Sequence, residues 1–489
     1  MTGRTTVETA ETTSERRSDR LVIPLLLVSA FVVILNETIM SVALPVLTQD
    51  LGIPVSTGQW LTSAFMLVMA VVIPVTGFLL QRFHLRPVFI AAMTLFSLGT
   101  LVCFLAPGFP ALLLGRVVQA GGTAIMMPLL MTTVLNVVPA ERRGRTMGTI
   151  SVVIAVAPAI GPTISGIILQ AFDWRWMFGL VLPIALLGLA LGVALIRNVT
   201  EPRPTAIDVF SVPVSALAFG GLVYGFSALG GEGAEPAVSP WYAVALGSVS
   251  LAVFVWRQLR LQREDRALLD LRVFGSPQFS LSIALVASSF MALFGTIILL
   301  PLYIQNVLGF DTLVTGLVLL PGGLVMGLIA PLVGRLFDRY GPRPLVSPGA
   351  AIVAVVLWGM TLFGTDTPIG FVVAAHIVLS LGLGLMFTPL LTGALGSLPQ
   401  YLYSHGSAVV GTVQQVAGAA GTATFVAVMS SVAAARLSGG AGEVAAESAG
   451  IHVAFLLGAG VATTAFVVTF FVRRSSEPEP ARAVAADES

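Results

Sequence analysis

Residues 74–87 read Pro74-Val-Thr-Gly77-Phe-Leu-Leu-Gln81-Arg82-Phe-His84-Leu-Arg86-Pro87, and residues 331–344 read Pro331-Leu-Val-Gly334-Arg-Leu-Phe-Asp338-Arg339-Tyr-Gly341-Pro-Arg343-Pro344. Proline, glycine, two arginines and proline recur at equal spacing. Each copy closes a long apolar stretch and turns into the next. Taken alone, each could be a simple helix exit whose arginine snorkels to headgroups. Five matched positions at the same place in two successive patterns argue instead for an internal duplication.

The chain around these copies is apolar. Of 489 residues, 56% are hydrophobic and 10% charged, where a soluble domain carries about 25% charge. Polar surface on that scale cannot cover a globule, so the solvent of this chain is mostly lipid. All 25 basic residues are arginine, which excludes a Walker A loop and Schiff-base chemistry, both of which need lysine. The single cysteine, Cys103, excludes an internal disulfide or a CxxC site. Four scattered histidines at 84, 376, 405 and 452 show no metal-ligand spacing. A net charge of +1 argues against nucleic acid as a partner. No cofactor or metal site is expected, and no enzyme activity, because no nucleophile–base pair or metal constellation is visible.

A membrane span needs about 20 mostly apolar residues. Fourteen stretches qualify: 21–47, 57–80, 88–106, 110–138, 147–169, 177–196, 209–229, 241–256, 279–303, 313–334, 345–363, 369–392, 406–434 and 451–472. The first is too long for the apolar core of a cleaved signal and reads as a retained span. Arginine placement tests the count. If the N-terminus is cytoplasmic, 22 of the 25 arginines fall on the inner side, the bias of the positive-inside rule, and both termini are cytoplasmic. The repeat makes spans 1–6 correspond to spans 9–14. The expected fold is therefore an all-α integral membrane protein of two parallel six-helix bundles separated by two inserted helices. Transporters are built on this plan, with the substrate held between the halves near the midplane. The expected boundaries are a disordered N-terminal tail (1–20), a first bundle (21–196), the inserted pair with its inner loop (197–278), a second bundle (279–472) and a disordered C-terminal tail (473–489). The inner loop carries Arg257, Arg260, Arg263 and Arg266 at three-residue spacing. It is expected on the anionic inner leaflet, or as a solvated topology signal.

Charges deep in a span cost at least about 2.5–3.5 kcal/mol and are functional candidates. Among the acids only Glu37 qualifies, and among the bases only Arg116; His376 is the one other titratable group. All three lie roughly 9–15 Å below the outer face at the helical rise. Glu37 could load and release a proton under the influence of Arg116, or the two could form a static buried ion pair. His376 reads equally as a proton or substrate ligand and as a histidine bonded to a backbone carbonyl. In span 5, Ala157, Gly161 and Ser165 make a flat face for close helix contact, and Pro158 and Pro162 each remove a backbone donor. Gln414 and Gln415 in span 13 face a cavity or bond to a neighbouring helix.

These residues resemble the major facilitator superfamily, and within it the fourteen-span drug:proton antiporters, over roughly residues 20–472. The repeat around Gly77, Arg82 and Arg86, and around Gly334, Asp338, Arg339 and Arg343, is similar to the family's conserved-loop motif Gly-x-x-x-Asp-Arg-x-Gly-Arg, a conformational element. Leu114-Gly115-Arg116-Val-Val-Gln119-Ala-Gly121 is similar to the span 4 motif, whose arginine is implicated in proton coupling. The span 5 stretch with Pro158, Gly161, Pro162 and Gly166 is similar to the antiporter motif. Asn36-Glu37-Thr38-Ile-Met-Ser-Val-Ala-Leu-Pro45 resembles the span 1 motif of the fourteen-span exporters, in the form of the lincomycin-exporter type. The chain departs from the loop motif at Gln81 and His84, which puts an acid latch in doubt for the first half, while Asp338 retains it in the second. Ala157 and Ser165 stand at usual glycine positions of the antiporter motif.

The resemblance implies a proton-coupled exporter of amphipathic small molecules in the cytoplasmic membrane, working as a monomer by alternating access. Glu37 and Arg116 would couple protons, and Asn36, Gln119, His376, Gln414 and Gln415 would line the substrate cavity. A dedicated exporter of one metabolite, antibiotic or lipid, and a non-transporting sensor or scaffold, are the alternative readings.

Overall fold

The computed structural model describes residues 4–198, 208–229 and 238–471. Among these residues there is no strand, and the long helices follow the apolar stretches one for one. They are α1 (Arg4–Asp50), α2 (Val55–Arg82), α3 (Leu85–Phe104), α4 (Phe109–Val137), α5 (Arg143–Ala171), α6 (Trp176–Leu195) and α7 (Ser211–Leu229), which holds a π turn at Ala216–Gly220. There follow α8 (Pro240–Leu261), α9 (Pro277–Leu302), α10 (Thr312–Tyr340), α11 (Arg343–Met360), α12 (Ile369–Gly396), α13 (Tyr403–Ser438) and α14 (Glu443–Thr469). Thirteen are long and apolar enough to cross a membrane. The remaining one, α5, has 29 residues, ample for the same distance.

One expectation is corrected. The polar stretch 4–20, read as a disordered tail, continues α1 as helix from Arg4. No glycine or proline lies between Arg4 and Ile23, so the helix of the first span propagates outward without paying for a new nucleus. The expected C-terminal tail lies outside the described residues.

Helix packing repeats the sequence duplication. In the first half α1 packs on α5 and α6, α3 on α4 and α6, and α2 on α4; in the second, α9 packs on α13 and α14, α11 on α12 and α14, and α10 on α12. Each pairing has its counterpart eight helices later. The halves meet along two seams, α5 against α10 and α2 against α13. Since α2 matches α10 and α5 matches α13, the seams are equivalent under the duplication. The two copies of the repeat end their helices differently. Gly341 closes α10 at φ +79°, a left-handed value that favours glycine. Phe83 and His84 leave α2 with extended backbone, so the glycine-to-histidine departure carries no strain.

The inserted pair α7–α8 leans on α2 and α13 and so covers one seam only. A Cβ on Gly247 would sit 2.7 Å from the backbone nitrogen of Leu222, so the two helices cross at glycine. Phe219 and Phe254 meet edge to face at 5.7 Å. At the arginine-rich end Arg257 donates two hydrogen bonds of 2.7 Å to Asp208. Those bonds, with help from Ser211 and against the rise that desolvation alone would cause, pull the Asp208 carboxyl down to about 2. A depressed folded value means that the clasp holds at every pH above the ordinary carboxylate range and is lost only as pH falls toward about 2.

The α3–α4 crossing is equally close. A Cβ on Gly99 would strike the backbone of Gln119 and Gly115, and backbone cannot yield as a side chain does. Gly99→Val is expected to destabilise the protein by about 2–3 kcal/mol, read as a lower melting temperature in detergent. Gly359→Val, with nothing within 4 Å of its Cβ, is the control and should leave melting unchanged.

Candidate functional site

One turn of α4 sets Arg116 and Gln119 on a single face, both fully buried. The Arg116 Nη1 donates to Gln119 Oε1 at 2.7 Å and to Asn36 Oδ1 of α1 at 3.4 Å. Gln119 in turn donates to the Thr100 hydroxyl of α3 at 2.8 Å, and Thr100 donates to the Phe96 carbonyl at 2.6 Å. The guanidinium lies 4.1 Å over the ring of Phe65 on α2, a cation–π contact strengthened by the lack of water. Helices α1 to α4 thus each contribute to holding one charge. Its Nε has no hydrogen-bond partner among the described residues.

Glu37 follows Asn36 and points about 100° away around α1. It is half-buried, and no ion pair or hydrogen bond joins it to Arg116, although the two charges interact electrostatically. The static-pair reading therefore has no direct contact behind it in this structure. On the other side of Glu37, Thr38 packs on α5, where a Cβ at Gly161 would run into its hydroxyl. Ala157, Gly161 and Ser165 are all buried, with Ser165 reaching Met177 of α6 at 3.4 Å. At Gly161 the flat face of span 5 thus seats the helix that carries Glu37, and at Ser165 it meets α6. Pro158 is exposed and Gly166 faces open space; the side chain of Pro162 lies outside the described set.

The other expected cavity residues are dispersed. His376 on α12 is buried against Gly322 and pairs through Nε2 with the Leu319 carbonyl of α10 at 3.2 Å. This is the backbone-bonded arrangement. Gln415 reaches Met69 of α2 at 3.8 Å across the second seam. Gln414 is half-buried.

A second layer joins the halves at the arginine-rich end. The Asp338 carboxylate accepts the backbone N–H groups of Gly144 at 2.7 Å and Arg145 at 2.9 Å. A last-turn acid of α10 thereby caps the N-terminus of α5, where the helix dipole favours negative charge. Gly334 and Gly144 approach so closely that neither admits a Cβ, and Gly148 meets Ala330 in the same way. At the equivalent place in the other seam, Gln81 meets His405 at 3.0 Å. The backbone N–H of Asp270 donates to His405 Nδ1 at 3.3 Å, so the proton sits on Nε2 and is donated to Gln81 Oε1. Thr132–Ser407 (3.2 Å), Thr388–Ser151 (2.8 Å) and Arg143–Tyr403 (3.1 Å) add further ties. Gln400 donates to Asn136 at 3.2 Å at the same end. Arg86 stays within its half, donating to the Val193 carbonyl at 2.6 Å, and Arg339 lies over Tyr340 at 5.1 Å. Arg82 and Arg343 are exposed. The acid, the amide and the glycines of the repeat make contacts between the halves.

Sequence reasoning missed His405, Asp270, Phe65 and Thr100. Gln81 standing where the repeat has Asp338 was the one available signal, since an uncharged residue there implies a different partner.

Two matched six-helix bundles enclosing buried polar groups are a plan on which membrane transporters are built. The profile of the Major Facilitator Superfamily matches residues 26–422. The chain is 40% identical to YcnB, an uncharacterized MFS-type transporter of Bacillus subtilis, over 94% of this chain and 97% of that one. It is also 40% identical to the lincomycin resistance protein LmrB of Listeria monocytogenes, over 92% and 96% of the two chains. Among solved structures, the human organic anion transporter MFSD10 superposes with a TM-score of 0.64 at 15% identity, over 92% of this chain and 99% of that one. The proton:xylose symporter XylE gives 0.62 at 16% identity, over 94% and 97%; both likenesses concern the fold alone. The chain belongs to the major facilitator superfamily and is a multi-pass membrane transporter, not an enzyme.

Asparagine at 338 keeps one acceptor where two backbone donors now converge. Asp338→Asn is expected to slow transport in liposomes roughly tenfold while substrate binding in detergent is retained. Equal loss of binding would point to a folding role. Gln81→Ala should slow transport less.

Proposed function

We propose that this transporter exports amphipathic small molecules across the cytoplasmic membrane in exchange for protons. The observation that carries the reading is the arrangement around Glu37: a lone intramembrane acid, half-buried, within electrostatic influence of Arg116 but not paired with it. A carboxylate locked in an ion pair cannot release its partner cheaply. One that only feels a fixed neighbouring charge can exchange a proton while that charge stays put. The Arg116 Nε–H is buried without a hydrogen-bond partner among the described residues. The LmrB relative, named for lincomycin resistance, supports drug-like cargo.

In this reading the protein has fourteen spans, both termini are cytoplasmic, and bundles 21–196 and 279–472 rock about the inserted pair. The arginine-rich end is the cytoplasmic one, so the structure is latched against the cytoplasm. The protein works as a monomer without a cofactor. Inward proton movement supplies about 2.3 kcal/mol per charge per 100 mV.

Glu37→Gln mimics the protonated acid. The variant should bind a neutral substrate only with the weaker affinity that the wild type shows at low pH, lose uphill efflux and lose the pH dependence of binding, while exchange of substrate down its own gradient survives. Because no ion pair is broken, its stability should change by less than about 1 kcal/mol, where removal of one partner of a buried pair costs about 3–5 kcal/mol. Arg116→Ala should abolish active efflux while the protein still inserts and folds. Substrate affinity against pH, uptake into liposomes under an imposed pH gradient and thermal stability together decide the matter. A stable Glu37→Gln protein with full uphill efflux and an unchanged pH profile would remove Glu37 from the mechanism.

A further inference from the structure

Between the inserted pair and the second bundle runs a groove of about 740 Å³, walled by Leu222 and Phe226 of α7, Val255 and Leu259 of α8, and Val416 and Ala420 of α13. The one hydroxyl in its lining, Ser248, donates to the Val244 carbonyl at 2.7 Å, so apart from Trp256 at one end the walls are almost wholly apolar. Along α8 the lining runs from Ser248 to Leu259, roughly 17 Å at the helical rise. That is about half of a hydrocarbon core of about 30 Å, the depth of a single leaflet.

Its arginine-rich end differs sharply. Trp256 lines the groove and is 54% exposed, and the Arg260 guanidinium lies 4.3 Å over its ring. Three neighbouring arginines are committed: Arg257 to Asp208, Arg266 to Glu264 and Arg272 to Asp270 and Asp265. Arg260 and Arg263 are exposed and have no carboxylate within ion-pair distance among the described residues. Apolar walls one leaflet deep, ending at an amphipathic tryptophan and two uncommitted guanidiniums, match one class of molecule by shape and charge.

We propose that this groove holds an acyl chain of an anionic phospholipid of the cytoplasmic leaflet, with the phosphate bound by Arg260 and Arg263. The inference rests on the orientation proposed above, in which the loop after α8 is cytoplasmic. The lipid would act as a wedge that steadies α7 and α8 against α13. Val416 in the groove wall adjoins Gln415, which touches Met69 of α2, so an occupied groove backs the α2–α13 seam.

The test uses the full chain in phosphatidylcholine nanodiscs, with phosphatidylglycerol added and retention read by native mass spectrometry and thermal melting. The wild type should retain one phosphatidylglycerol and melt higher with it than without. Arg260→Gln with Arg263→Gln should weaken retention about 25-fold, about fivefold for each arginine, with unchanged melting in pure phosphatidylcholine. Ala252 also lines the groove on α8; Ala252→Phe, which fills it and leaves both arginines in place, should also lose the lipid. Glycerol phosphate, the headgroup without chains, should give no protection. Equal retention of phosphatidylcholine, equal protection by glycerol phosphate, retention that survives Ala252→Phe, or a second protein copy bound in place of lipid would each overturn the proposal. The readout needs no substrate or proton gradient, so a failure of proton-coupled export would leave it standing.

Discussion

A guanidinium buried at membrane depth constrains everything around it. Left bare, such a charge costs at least about 2.5–3.5 kcal/mol, and here four helices share the work of offsetting that. Asn36 comes from α1, Phe65 from α2, Thr100 from α3 through Gln119, and Gln119 itself from α4. None of these partners is an acid. A carboxylate in that shell would neutralise the arginine and lock both groups. Neutral amides on Nη1 and a ring under the guanidinium hold it while leaving its field to act on Glu37. The close approach of α5 to Thr38 at Gly161 then fixes the helix that carries the acid, so the span 1, span 4 and span 5 motifs work as one assembly.

The same division of labour governs the latch. Opening the arginine-rich end requires breaking hydrogen bonds that cross two equivalent seams, each worth about 0.5–1.5 kcal/mol net, with the charge-assisted ones toward about 3. The duplication is not used symmetrically. On one seam a carboxylate caps a helix with its two oxygens; on the other an amide meets a buried histidine tied to the loop after the inserted pair. That loop is in turn fastened by Gln258, which accepts from the backbone of Leu268 and donates to Ser211. The inserted helices therefore connect to the latch through His405 and Asp270, on the seam that they cover. The α5–α10 seam carries no such attachment.

Much of this was legible in the residues. Apolar run lengths and arginine placement located every long helix, because lipid forces the backbone of each crossing to satisfy itself locally. The internal repeat implied that spans 1–6 correspond to spans 9–14, as the matched helix pairings do, and the lone intramembrane charges singled out the candidate site. What was not legible depends on contacts between residues far apart in sequence. Nothing in residues 400–410 says that His405 will meet Gln81, and Phe65 is one aromatic residue among many in the spans. The carboxylate of Asp338 was expected as a latch, but its partner is backbone, which has no sequence signature. His376 was open between two readings because burial alone does not distinguish them; the Leu319 carbonyl at 3.2 Å favours the structural one. The helical stretch 4–20 was misread because polar composition was weighed above the absence of glycine and proline.

The central claim is that substrate and proton compete through an acid that is coupled to Arg116 without being paired to it. Calorimetric titration of the purified wild-type protein with a transported neutral compound, repeated near neutral pH in buffers of differing ionisation enthalpy, measures the protons released on binding. The account predicts release of a fraction of one proton, rising toward about one as pH falls and Glu37 becomes more fully protonated beforehand. Binding that releases no proton at any pH near neutrality, with affinity intact, would contradict it.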